Sequence, residues 1–163
     1  MNMPISLERG LRHMAWANQK VYAAVEALPE ECLKSYIVNP EWHAYEILFH
    51  ICDSAGWYVY RVEMLNEPEK IEEPAKISTL RELVLINDHK LISLAAQEDR
   101  EIIFHREGKE IRRWASTILT QAMHHATEHR AQLIDALEFR GYKAINLDDI
   151  DLWAFDEFEK NSK

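Results

Sequence analysis

The stretch QAMHHATEHRAQLIDALEFRG, residues 121–141, places His124, His125 and His129 on a pattern that otherwise reads as a buried helix. Imidazole is a costly interior group unless its ring nitrogens find partners, so the cluster implies a proton network, a metal, or rings satisfied within the core. His125 and His129 stand four residues apart, which puts both rings on one helix face, roughly 6 Å apart along the axis and within reach of one ion. His124 points elsewhere, toward Glu128 one turn on. A third ligand must come from another element, and His50 is the candidate. It lies in the middle of EWHAYEILFHICDSAGWYVYRVEML, the most apolar segment of the chain. A His-x3-His pair alone is a weak signal, because most such pairs are solvated or satisfied in a core. The third mid-core imidazole strengthens it, since three unpartnered rings would cost several kcal/mol of desolvation. Three neutral imidazoles suit zinc, nickel, copper or iron, with zinc and nickel foremost, and leave a position for water or substrate.

Rival chemistries fit less well. A di-iron carboxylate site needs Glu-x-x-His on two helices, and that spacing is absent from the chain. Haem would need a large apolar cavity with one or two axial histidines. Neither serine nor cysteine falls in a spacing that assembles a nucleophilic triad. Around the three imidazoles, Glu46 precedes His50 by one turn, Asp53 follows it by one, and Gln132 follows His129 by one. These three are candidates to orient the ligands or move protons, although ordinary polar helix positions explain each equally well. Arg130 could bind a substrate carboxylate, but pairing with an acidic neighbour is the favoured reading. His13, His43, His89 and His105 read as solvated surface residues. Trp16, Trp57, Tyr58 and Trp114 read as core at helical spacing, with a pocket lining as the alternative.

The elements that must position these residues are helical. Prolines 29, 40, 68 and 74 separate long segments of helical period. A first helix is expected from about Ser6, a plausible N-cap, to about Ala27, with Leu7, Leu11, Met14, Asn18, Val21 and Val25 along one seam. A second begins near Glu41, and a third opens on a capping box of Thr79 and Glu82 and runs to about Gln97. IIFH and KEIRR flank the turn residues REGK as a small β-hairpin. A fourth long helix spans about Arg112 to Arg140 and stops at Gly141, followed by a short closing helix with Leu152, Trp153 and Phe155 turned inward. These elements amount to one all-α domain, a four-helix bundle with a β-hairpin before the last long helix and a short C-terminal helix.

Bulk properties narrow the partners. The 163 residues suit a single domain, and 47% hydrophobic with 29% charged residues is ordinary for a globular chain. A net charge of −9 repels nucleic-acid phosphate and anionic membranes, which leaves a small molecule or a protein as partner. No apolar run has the length of a membrane span, and the N-terminal MNMPISLERGLRHMAW lacks the pattern of a secretory signal, so the cytoplasm is expected. Cys32 and Cys52 have apolar neighbours and read as core thiols.

HATEHRAQL, residues 125–133, resembles the His-x3-His-Arg-Gly-Gln signature of the DinB/YfiT-like superfamily. PEWHAYEILFHICDS resembles its second-helix segment, MAWANQKVYAAVEALPEE its first helix, and LDDIDLWAFDE its C-terminal segment. The resemblance covers nearly the whole chain. It implies a four-helix bundle of up-down-down-up type, a metal on His50, His125 and His129, and a homodimer. The chain departs at Ala131, where the family usually has glycine. Alanine suits a helix interior but could narrow close contact with a neighbouring helix. Relatives of this kind include metal-dependent transferases and isomerases that use low-molecular-weight thiols such as bacillithiol or mycothiol. The expectation is therefore a metal-dependent enzyme, a thiol-dependent S-transferase or a hydrolase acting on a small electrophile. A non-catalytic metal-binding or stress-response dimer is the alternative.

Overall fold

The structure, a computed structural model, describes residues 6–162. Residues 1–5, the start of the stretch read as lacking a secretory signal, lie outside them. Helix α1 (Leu7–Glu26) is followed by a 3-10 turn at Glu30–Lys34, α2 (Ala44–Glu63) and α3 (Ile77–Leu94). Strands β1 (Glu101–Arg106) and β2 (Lys109–Trp114) precede α4 (Ala115–Phe139), and a second 3-10 turn at Leu147–Ile150 leads into α5 (Leu152–Asn161). The chain is thus mostly helical with one two-stranded antiparallel sheet. Helices α1 and α2 each pack against both α3 and α4. No helix among the described residues is long and apolar enough to cross a membrane.

The α1 seam behaves as its period demands. Leu11, Met14, Asn18, Val21 and Val25 are all buried, and Leu7, the first residue of the helix, is half-buried. In α2, nine residues are buried, consistent with a helix covered on two sides. The hairpin pairs Glu101 with Trp114 through Arg106 with Lys109. Its two-residue turn, Glu107 and Gly108, has φ of 53° and 74°, the conformation that matches the twist of the flanking strands. At the other end of α4, Gly141 takes φ of 85°, and the amides of Gly141 and Tyr142 donate to the carbonyls of Glu138 and Leu137, closing a Schellman motif. Cys32 and Cys52 are buried free thiols.

Four local expectations need correction. Helix α2 begins at Ala44 rather than Glu41, because the Asn39 side chain accepts from the Glu41 amide and bends the chain, and His43 becomes the N-cap. The Thr79–Glu82 capping box does not form, since α3 already starts at Ile77 behind Lys76. Helix α4 begins at Ala115 rather than Arg112, because β2 continues to Trp114; Asp99 then caps α4 from outside by accepting from the Ser116 amide at 2.9 Å and hydroxyl at 2.7 Å. Leu152 and Trp153 face solvent, and Phe155 alone of the three turns inward, against Trp16 and His13.

Candidate metal centre

Helix α2 packs along α4, and three imidazoles meet in the seam between them. Helical spacing stacks His125 and His129 on consecutive turns of α4, while His50 projects from the middle of α2. Their Nε2 atoms face one another, His50 to His125 at 2.9 Å and His125 to His129 at 3.1 Å. The potential ligand atoms of all three lie within 4.8 Å of one another, and no cysteine or carboxylate joins the group among the described residues.

One neighbour fixes a tautomer. Gln132 Oε1 lies 3.1 Å from Trp42 Nε1 and 2.9 Å from His129 Nδ1. An indole N–H can only donate, so the amide atom between the two rings is the oxygen, and His129 Nδ1 must donate to it as well. Neutral His129 therefore carries its proton on Nδ1 and turns the bare lone pair of Nε2 into the cluster. A single hydrogen on His125 Nε2 cannot point along both of its contacts at once, so protons alone leave a lone-pair repulsion in the group. A cation resolves it. A tetrahedral zinc with bonds of about 2.0–2.1 Å holds its nitrogens about 3.3–3.4 Å apart, a few tenths of an ångström from the two close separations, while His50 and His129 lie within 4.8 Å of each other. The three imidazoles fit a divalent transition metal.

Burial prepares two of the rings to be neutral. Desolvation, then the charges of His129 and His50, bring His125 down to about 4. Desolvation and His129 lower His50 too, with Asp53 opposing. Rings held neutral at physiological pH offer lone pairs without first losing a proton. Trp42 covers one side of the cluster, its ring 5.3 Å from that of His50 and 5.4 Å from that of His129, and Tyr58 meets His125 edge-on at 5.6 Å.

The remaining sequence candidates separate. Gln132 touches a cluster imidazole directly, Asp53 acts on His50 only through its charge, and the Glu46 contact in this region is its amide, which donates to His43 Nδ1 at 3.4 Å. Arg130 is 3% exposed, and it donates to Asn18 Oδ1 and Thr127 Oγ1 rather than to an acidic neighbour. His124 is exposed and forms no ion pair with Glu128 among the described residues. His89 and His105 are exposed as expected. His13 is not a surface residue: it is half-buried, and its Nε2 lies 2.8 Å from the Ile150 carbonyl. Trp114 is 55% exposed and packs into no pocket here. Sequence reasoning missed Trp42, which reaches the cluster from the loop before α2, and the buried pair Asn18 and Asp88. A cleft of about 840 Å³ between α2, α3 and the connection at 64–76 is bordered by Asp53 but by none of the three histidines.

The family model described as the DinB family matches residues 3–157. Comparison with curated proteins and with solved structures gave no match.

Proposed function

The chain belongs to the DinB family, and from that premise we propose that His50, His125 and His129 hold a divalent transition metal, zinc or nickel, in an enzyme acting on a small electrophilic molecule. The observation that supports this most is the convergence of three Nε2 atoms, one of which, on neutral His129, turns its lone pair into the cluster. When bound, the ion would supply a Lewis acid that makes a thiol or a water in its open position a nucleophile near neutral pH. The chain's own groups do the rest. Gln132 holds the His129 ring in one tautomer, and Trp42 fixes Gln132 by donating to the same oxygen. Asp53 lies one turn from His50, and Glu46 one turn before it, as carboxylates able to take up a proton released from the nucleophile. A low-molecular-weight thiol acting as co-substrate makes the reaction an S-transfer; water in its place makes it a hydrolysis. The proposal includes the arrangement of the four long helices as an up-down-down-up bundle and a homodimer, both on the strength of family membership, and a place in the cytoplasm, in keeping with the lack of a membrane-spanning helix among the described residues.

The test is incubation of the metal-loaded protein with candidate thiols and a generic electrophile beside a His125→Ala variant. Conjugate formed above the variant's background supports the S-transferase, and thiol-independent loss of the electrophile supports the hydrolase. No turnover by either route contradicts the enzyme reading and leaves a non-catalytic metal-binding protein.

A further inference from the structure

Behind the three imidazoles lies a second polar centre. Arg130 donates Nη1 to Asn18 Oδ1 at 2.6 Å, and Asn18 donates Nδ2 to Asp88 Oδ2 at 2.9 Å. The other carboxylate oxygen, Asp88 Oδ1, has no partner among the described residues although Asp88 is 0% exposed. Asp88 borders a small internal cavity of about 10 Å³, and His125, Asn18 and Tyr58 border the same cavity. That space is close to the lower limit for one water, which needs at least two polar partners to reside there. Two are at hand. Asp88 Oδ1 is an open acceptor, and His125, with Nε2 engaged in the cluster, has Nδ1–H left to place. A metal-binding imidazole is ordinarily held by such a bond from its other nitrogen, as Gln132 holds His129.

We propose that Asp88 is a positioning residue for His125: one water in the shared cavity accepts the Nδ1–H of His125 and donates to Asp88 Oδ1, leaving the Nε2 lone pair of His125 for the metal. This rests on the metal reading above. It gives the two α4 imidazoles separate supports, Gln132 at the surface and Asp88 from within, and ties the centre to a carboxylate on α3, a helix that supplies no ligand.

Zinc affinity of the full chain, measured by competition with a chromophoric chelator, tests it, with the cobalt(II) absorption spectrum as a second readout. Asp88→Asn is expected to weaken zinc binding by about 10- to 100-fold and to alter the cobalt spectrum. Ala55→Val, which fills the cavity without removing a polar group, should weaken binding in the same direction, and it serves if Asp88→Asn does not fold. Asn18→Ala cuts the same interhelix chain but keeps the carboxylate at the cavity. It should lower the melting temperature of the metal-free protein and leave zinc affinity in place. Wild-type affinity in Asp88→Asn or in Ala55→Val, or an equal loss in Asn18→Ala, would overturn the proposal while the metal reading stands. A wild-type chain that takes up no zinc would bring down the metal reading and this proposal together.

Discussion

Asn18→Leu should be among the most damaging single substitutions in the protein, although Asn18 touches no histidine of the cluster. Above about pH 7, where Asp88 is ionised, the Asn18 side chain bridges two buried charged groups, Arg130 on α4 and Asp88 on α3, and it is itself 1% exposed. Leucine removes both bonds and is too bulky for water to replace them. Hydrogen bonds to charged groups contribute about 1.5–3 kcal/mol each, so the two together come to about 3–6 kcal/mol. Leucine returns about 1–2 kcal/mol through its own burial, since the adjoining cavity is small. The net loss is then about 1–5 kcal/mol out of a total stability of about 5–15 kcal/mol. For a chain of this length that is a fall in melting temperature of about 2–20 °C. Chemical denaturation and a thermal melt of the metal-free variant would measure it. The triple variant Asn18→Leu/Asp88→Leu/Arg130→Met removes every polar partner at once and should regain most of the loss. A change within about 0.5 kcal/mol for the single variant, or a triple variant worse than the single one, would refute the reasoning.

Three further outcomes are expected. Gln132→Leu removes the acceptor that fixes the His129 tautomer and should weaken zinc binding by about 10- to 100-fold with little change in fold, read by chelator competition and circular dichroism. Burial raises Asp88 from an ordinary value of 3.8 to about 7, against the opposing effects of Asn18 and Arg130. Between those values the folded chain keeps a proton that the unfolded chain has released, so stability falls as pH rises across that window and levels off above it. The difference in unfolding free energy between wild type and Asp88→Asn should therefore slope downward with pH from near 4 to near 7, the histidine contributions cancelling; a flat difference would contradict the burial of this carboxyl. Gly141→Ala should cost about 1 kcal/mol, because φ of 85° in the Schellman turn is strained for any residue with a Cβ, and a denaturation curve would read it.

What the sequence disclosed and what it withheld divide by range. His125, His129 and Gln132 lie on one helix, and helical spacing alone brings them together. His50 stood out because a polar ring in the middle of so apolar a helix demands a partner. The hairpin and the Gly141 stop follow from turn chemistry that is local by nature. Trp42 could not be read this way: it reaches Gln132 across 90 positions, and only after Asn39 bends the chain and His43 caps α2. The buried polar chain is longer still, with Asn18 partnered 70 residues away at Asp88 and 112 away at Arg130. Asn18 sat in an otherwise apolar seam of α1, and that misfit was the one signal available. Helix starts went astray where a neighbour outside the segment set the boundary, as Asp99 does for α4. Leu152, Trp153 and Phe155 all read as inward because all three are apolar, while in α5 only Phe155 is buried.

The most direct measurement is the metal content of the purified, untagged protein beside a His50→Ala/His129→Ala double variant. Near-stoichiometric zinc, nickel or another divalent transition metal in the wild type, and none in the variant, is the predicted result. A wild-type protein that holds no metal and takes none up on addition would contradict the account and return the three imidazoles to the packing between α2 and α4.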